Sequence, residues 1–486
     1  MNFSKNYYQR NRFRFSENIL NDSPTEECGI FGVFSSHNID TFSLVQFGLF
    51  ALQHRGQEAC GFSVLKEGQI STFKQEGLVL DAFKSIDKTS DYQGNAAIGH
   101  TRYTTAGDKK KYNYQPLFAK NQYDTTVLSI AHNGNLINIQ PLRNQLEKEG
   151  INFLATSDTE IMLRLIQKYL PEGIENAVKE SVNHIEGAYS VLALTQEKLI
   201  AFRDPNGIRP LCIGVLDEKT YVLASESCAL DAVGAQFFRD VLPGEMIIID
   251  KEGFHSEIIF EKTQPKICAF EYIYFARPDS IIENIEAHKI RMKSGERLYQ
   301  QSPVKADIVI GVPDSGVPAA IGFSKVSGIP FMPVLIKNRY IGRSFIVPTQ
   351  EMRERVVNLK LNPIAGEIKG KKIVIIDDSI VRGTTSKRLV KILREAGARE
   401  IHFRSASPPI IAPCFLGIDT PDKSDLISAS KNKEELKNYL KVNSLDFITI
   451  ENLKELLGSE NHCFGCFTGH YPVNQEIYEP DIFSGL

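Results

Sequence analysis

The order of apolar and polar positions divides the chain into two kinds of sequence. From Cys28 the stretch CGIFGVF reads as an alternating strand opening. Another strand is expected at 127–131, and PGEMIIIDKEGF at 243–254 reads as a closing strand pair, so a first domain should span 28–260. Beyond it strands and helices alternate: a strand at 306–312, a helix at 317–326 and a strand at 330–336. Ile373, Val374, Ile375 and Ile376 then form an unbroken β-branched run, the mark of a parallel strand buried on both faces. After it Leu389, Ile392, Leu393 and Ala396 share one helix face, and Gly397 stands where a helix would stop. The expected fold class is mixed, α+β followed by α/β with a parallel sheet, the second domain covering 261–486.

Residues 1–27 fit neither pattern. They are polar and aromatic-rich, lack the apolar core of a secretory signal, and read as a disordered arm. Lys5, Arg10, Arg12 and Arg14 are balanced by Glu17, Asp22, Glu26 and Glu27, which argues against an acid-poor transit peptide. A length of 486 residues exceeds one ordinary core and agrees with two domains. A formal charge of -3 gives no electrostatic case for nucleic acid or membrane partners, and no apolar run approaches spanning length. Eight cysteines in so long a chain do not make a secreted disulfide framework, so a cytoplasmic location is expected.

Candidate chemistry begins where the Ile373 strand ends. Asp377 and Asp378 sit at its carboxyl end, where open α/β sheets bind ligands. Ser379, Arg382, Gly383, Thr384, Thr385 and Ser386 follow, leading into the helix, whose free N–H groups and dipole favour an anion. The residues suit a phosphate joined to vicinal hydroxyls; a solvated strand end with an ordinary turn is the plainer alternative. The sequence IDDSIVRGTTS is not a Walker A loop, and it resembles the phosphoribosyl-diphosphate (PRPP) motif of phosphoribosyltransferases. That resemblance implies that the two acids hold the ribose hydroxyls and the loop holds the 5-phosphate.

Cys28 opens the first strand. A cysteine there is usually inert packing, but removal of residues 1–27 would make it the N-terminus, with its own α-amine, of pKa roughly 8, as general base. Other parts of an acyl-transfer site follow. Arg55 and Gly56 lie in QHRG, Arg102 in GHTRYTTAG, Asn133 and Gly134 in AHNGN, and Asp158 in TSDTE. The amide of Asn133 and the N–H of Gly134 suit a developing oxyanion. Arg102 and Asp158 suit the carboxylate and ammonium of a free amino acid. Singly, each has an ordinary reading: a hairpin turn, a helix cap, a surface arginine. In this order CGIFG, QHRGQ, HTRYTTAG, HNGN and TSDTE resemble the glutaminase domain of N-terminal-nucleophile amidotransferases. The resemblance implies an αββα sandwich, Cys28 as nucleophile, glutamine held by Arg102 and Asp158, an oxyanion hole of Asn133 and Gly134, and Arg55 and Gly56 in the pocket. RDPNGIRPL at 203–211 and ASESCALD at 224–231 fit later strands of the same domain.

Residues 28–486 as a whole resemble the glutamine phosphoribosyldiphosphate amidotransferases, which open purine biosynthesis. By that resemblance glutamine and PRPP are the substrates, purine nucleotides the feedback inhibitors, and the protein a homo-oligomer, dimer or tetramer. Diphosphate would lie near Asp314, Ser315, Gly316 and Lys337, and Mg2+ at Ser315, Asp377 and Asp378. The basic stretch 337–362 is a solvated face if read alone, and a lid over the anion if read beside two phosphate loops. Many relatives carry an arginine where this chain has Asn358, a contact weakened here or taken over by Arg355.

Cys268, Cys414, Cys463 and Cys466 remain. Only the last two form a C-x-x-C pair, which alone fits a redox pair or core cysteines, and it lies in a turn without the helix of a thioredoxin-type motif. Thiolates from separate segments can complete a four-cysteine site. Some members of the family carry a [4Fe-4S] cluster at similar positions, which implies that cluster here, with structural Zn2+ second, pinning the C-terminal segment. Hexosamine-phosphate synthase or asparagine synthetase would share the first domain but not the Asp377 motif. A PRPP-sensing regulator would show a degraded first site and a basic face.

Overall fold

A computed structural model of the protein describes residues 28–86, 89–103, 111–338, 361–420 and 422–474. The arm 1–27, the TTAG of HTRYTTAG, and residues 339–360 with Arg355 and Asn358 lie outside them.

Two antiparallel sheets form the first domain. The strands are β1 (Gly29–Ile39), β2 (Ala59–Lys66), β3 (Gln69–Glu76), β4 (Gly94–Arg102), β5 (Leu117–Lys120), β6 (Thr126–Leu136), β7 (Gly187–Thr195), β8 (Leu199–Arg203), β9 (Cys212–Asp217), β10 (Thr220–Ala224), β11 (Gln236–Asp240), β12 (Glu245–Asp250) and β13 (Gly253–Ile258). Their orders are β11-β9-β10-β1-β4-β2-β3 and β13-β12-β8-β7-β6-β5. The alternation in CGIFGVF explains why β1 belongs at the centre. Ile30 and Phe34 enter the core between the sheets with Leu192, Leu199 and Ile213, whereas Phe31 and Val33 face the helix Thr41–Ala51 and its Val45 and Leu49. On the far side, Ile130, Val191 and Ile200 pack against the helices Asp158–Tyr169 and Ile174–Val182. Helix, sheet, sheet, helix is the αββα sandwich that the resemblance implied.

Past it come β14 (Ile267–Cys268), the hairpin β15 (Ile281–Ile282) and β16 (Ile285–Glu286), β17 (Ile308–Gly311), β18 (Leu335–Lys337), β19 (Leu361–Pro363), β20 (Lys372–Asp377), β21 (Glu400–Ser405), β22 (Ser444–Phe447) and β23 (His462–Cys463). A parallel sheet runs β17-β20-β21-β22, with the Ile373 run of β20 at its centre and all four of its residues fully buried. The strand expected at 330–336 is not a member. Phe331 makes a single parallel bridge to Val309, and β18 turns away to pair antiparallel with β19. Pro330 and Pro333 explain the break, since neither can donate to a ladder. The two domains share a core in which Ile137, Ala188 and Ile208 meet Phe270, Tyr272, Leu416 and Ile418. Among the described residues no helix is long and apolar enough to cross a membrane.

Candidate active sites

A small pocket opens at the ends of β1, β4 and β6, lined among others by Cys28, Arg102, Gly134 and Asp158. The Cys28 thiol donates to the carbonyl of Tyr103 at 3.5 Å. Arg102 ends β4 with its guanidinium 5.6 Å from the ring of Tyr114, which orients it. Asp158 is the first residue of its helix, where the dipole favours an anion. Its carboxylate accepts the N–H of Thr159 at 2.8 Å and of Leu136 at 3.1 Å, so it is held in place before any ligand arrives. Asn133 is completely buried, and neither its amide nitrogen nor its amide oxygen has a hydrogen-bond partner among the described residues. Such an orphan is costly unless a ligand uses it. Gly134 next to it has φ +144, and a Cβ there would lie 2.0 Å from the carbonyl oxygen of Ala188. Only glycine lets β6 approach β7 so closely at this φ.

Arg55, Gly56 and Asn133 are not among the lining residues. Gly56 packs on backbone, since a Cβ there would stand 2.6 Å from the nitrogen of Arg102, so it lets the arginine strand approach. The buried Arg55 guanidinium pairs with Glu226 and, at 2.6 Å, with Glu271. Arg209 also reaches Glu271 at 2.6 Å. Burial alone would raise both carboxyls, but the charges of Arg55 and His54 hold Glu226 well below the usual carboxylate range, and those of Arg55 and Arg209 hold Glu271 below it. Glu271 belongs to the turn of π-helix Glu271–Phe275 beyond the sandwich, so this network joins the two domains.

At the second site the structure brings the Asp314 loop onto the end of β20. Ser315 donates to Asp378 at 2.5 Å, Ser379 donates to its other oxygen at 2.6 Å, and the N–H of Asp378 reaches Asp377 at 3.0 Å. Burial raises the Asp378 carboxyl despite these bonds and the charge of Arg291. A Cβ on Gly316 would lie 2.4 Å from the carbonyl oxygen of Ile376, so glycine is what lets the loop sit there. Lys337 pairs with Asp314 at 2.8 Å on the surface. Thr384, Thr385 and Ser386 form the first turn of the helix Thr384–Glu395, behind Gly383 at φ +74, and Arg382 lies 3.9 Å from Asp425.

Cys268 and Cys463 are register partners in the parallel pair β14 and β23, and Cys414 and Cys466 join the same apolar cluster. One helical turn, Gly465–Thr468, follows Cys463 where a plain turn was expected. Burial pushes the Cys463 thiol up to about 12, and burial followed by the three neighbouring cysteines raises that of Cys466 further from ionisation at neutral pH. Among the described residues no group of three or more His, Cys, Asp or Glu is arranged to hold a metal ion as it stands. The donor chemistry, four thiols in an apolar cluster, suits a thiolate-bound centre rather than a hard cation.

Several pocket residues are absent from the sequence reading. Asn113 and Gln115 fall between the motifs, yet Gln115 clamps β6 by accepting the N–H of His132 at 2.7 Å and donating to its carbonyl at 3.3 Å. Tyr103, His132, Ser157 and Thr159 stood inside quoted motifs and could have been found by asking what flanks the charged residues. Arg291, fifteen-residue helix Ala287–Gln301, acts on Asp378 from a stretch without any motif.

Known proteins resemble this chain over nearly its whole length. A glutamine amidotransferase domain matches residues 100–232 and a phosphoribosyl transferase domain matches residues 281–406. Amidophosphoribosyltransferase of Bacillus subtilis (strain 168) is 44% identical over 463 residues, 94% of this chain and 96% of that protein. The protein of the same name from Methanothermobacter thermautotrophicus is 43% identical over 453 residues, 92% of this chain and 95% of that one. The solved glutamine PRPP amidotransferase from B. subtilis, complexed with ADP and GMP, superposes with a TM-score of 0.87 at 43% identity, covering 93% of this chain and 98% of that one. With both sites on one chain and such likeness over nearly its whole length, this protein belongs to the amidophosphoribosyltransferase family.

Proposed function

We propose that this protein converts PRPP, glutamine and water into 5-phosphoribosylamine, glutamate and diphosphate, the first committed step of purine biosynthesis. The observation that carries the reading is that Cys28, Arg102, Gly134 and Asp158, far apart in sequence, line one pocket.

Residues 1–27 act as a propeptide whose removal frees the α-amine of Cys28. That amine takes the thiol proton, and Sγ bonds to the amide carbon of glutamine, whose carboxylate and ammonium rest on Arg102 and Asp158. The carbonyl electrons move to oxygen, which the amide of Asn133 and the N–H of Gly134 stabilise. Collapse breaks the C–N bond, the α-ammonium returns its proton to the leaving nitrogen, and ammonia departs. Water then hydrolyses the thioester to glutamate. Ammonia passes to the domain of residues 261–486 and attacks C1 of PRPP as diphosphate leaves. Asp377 and Asp378 hold the ribose hydroxyls, Ser379 and Arg382 to Ser386 the 5-phosphate, and Asp314 to Gly316 with Lys337 the diphosphate. A hydroxyl and two carboxylates are hard oxygen ligands, and Mg2+ bound by Ser315, Asp377 and Asp378 would neutralise charge on the leaving group. Cys268, Cys414, Cys463 and Cys466 would hold a [4Fe-4S] cluster, which serves to pin the C-terminal segment. Purine nucleotides inhibit, as ADP and GMP in the relative suggest, and the enzyme works as a cytoplasmic homo-oligomer.

Replacing Cys28→Ala tests the scheme. Glutamine-dependent synthesis should vanish while synthesis from added ammonia remains; equal loss of both would overturn the two-site reading.

A further inference from the structure

Residues 406–417 form no helix or strand, yet they run from the floor of the second site to the edge of the first. At one end the N–H of Ala406 donates to the carbonyl of Asp377 at 2.8 Å. Pro408, Pro409 and Pro413 then fix φ near −65° and stiffen the path. Midway, Ile411 and Ala412 donate to the carbonyl of Cys466 at 2.9 and 3.2 Å, and the hydroxyl of Tyr471 donates to Pro413 at 2.6 Å. At the other end the buried amide of Asn135 donates to the carbonyl of Phe415 at 2.9 Å. Gly417 has φ +105, and a Cβ there would lie 3.1 Å from the Cα of Gly134. Gly134 is therefore held between two backbones, Ala188 of β7 on one side and this segment on the other.

We propose that residues 406–417 are a positioning strap that sets the oxyanion-hole end of β6, with Gly417 and Asn135 as its positioning residues for glutamine hydrolysis. The inference rests on the glutaminase reading above and deepens it. No atom of the strap needs to touch glutamine. Its effect is to fix where the Asn133 amide and the Gly134 N–H stand, and displacement by a few tenths of an ångström matters most when negative charge develops on the carbonyl oxygen.

The test is steady-state kinetics on Gly417→Ala. A methyl group there is strained by φ and pushes on Gly134, so kcat for glutamine should fall about ten- to a hundredfold, with KM changed by less than about threefold because Arg102 and Asp158 still bind the substrate. Synthesis from ammonia and the rate of Cys28 alkylation by iodoacetamide should match wild type, which a general loss of structure would not permit. Asn135→Asp, which removes the donor to Phe415, should reproduce the same split and decides the matter if Gly417→Ala fails to fold. Wild-type kcat on glutamine in both variants, or parallel loss of both activities in both, overturns the strap. Wild-type protein that hydrolyses no glutamine overturns the underlying reading instead.

Discussion

The two sites differ in how much of each is built before a substrate arrives. Around Cys28 the functional groups are buried: Asn133 is 0% exposed, Arg102 4% and Asp158 5%. At the second site Asp378 is buried, but the paired Asp314 and Lys337 side chains are 74% and 49% exposed. Each arrangement suits its chemistry. A neutral amide becomes an oxyanion only in the transition state, so donors held rigidly in a dry pocket act at full strength when the charge appears. PRPP carries its charges from the start, and a site that receives it can keep hydrated cations at the rim and bury only its acids.

The seam between the regions should give the largest effect when broken. Glu271 neutralises both Arg55 and Arg209 at full burial. Glu271→Ala leaves two buried guanidinium groups without that partner and should lower stability by about 3–5 kcal/mol, read as a large drop in the thermal midpoint. A drop of a degree or less would mean that water enters the seam and that the domains are joined mainly by their apolar core.

Next comes the prebuilt site itself. Asn133→Ala should reduce kcat on glutamine by about 10² to 10³, the usual cost of one oxyanion donor, and leave ammonia-dependent synthesis unchanged. If kcat fell by less than about threefold, the buried amide would be a packing feature and the contrast in preorganisation would lose its best example.

Acid should attack the buried site first. Burial, reinforced by the charge of Arg102, lowers the His100 imidazole to about 3, and burial lowers His132 too. A depressed pKa means that the unfolded chain binds the proton more readily, so the stability is complete above roughly pH 6.5 and declines as pH falls toward 3. Each such proton contributes a slope of up to about 1.4 kcal/mol per pH unit in that window. Thermal midpoints of His100→Gln measured from pH 7 to 4 should fall less steeply than those of wild type. Parallel curves would assign the acid limb to other groups.

What could be read from the sequence was what is local. The β-branched run of β20, its acidic end and its glycine-marked loop are contiguous, and the alternation of CGIFGVF specifies a central strand because both of its faces need apolar cover. The glutaminase motifs were legible because each carries a charged or amide residue in a short, recognisable frame. Arg55 shows the limit. Its partners are 171 and 216 positions away, so no window of sequence reveals that its guanidinium is tied up in an ion pair at the seam. The same holds for Gly417, whose need for glycine comes from Gly134 of another domain. The strand expected at 330–336 differs for the opposite reason: its apolar content is plain in the sequence, but Pro330 and Pro333 remove two ladder donors.

The exposed pair at the second site should have the smallest effect on the fold. An ion pair between side chains as open as Asp314 and Lys337 contributes roughly 0–1 kcal/mol, because water screens the charges and two long side chains must be ordered. Lys337→Ala should therefore leave the thermal midpoint within about a degree of wild type. Its effect should appear in PRPP instead, as a raised KM whose difference from wild type shrinks when salt is increased from low to moderate concentration, since the lost cation acted across solvent. Such a result would separate a rim charge that waits for its ligand from the buried charges at Glu226 and Glu271, which are spent on the fold before any ligand binds. A destabilised Lys337→Ala, or a KM penalty indifferent to salt, would instead make the second site as prebuilt as the first.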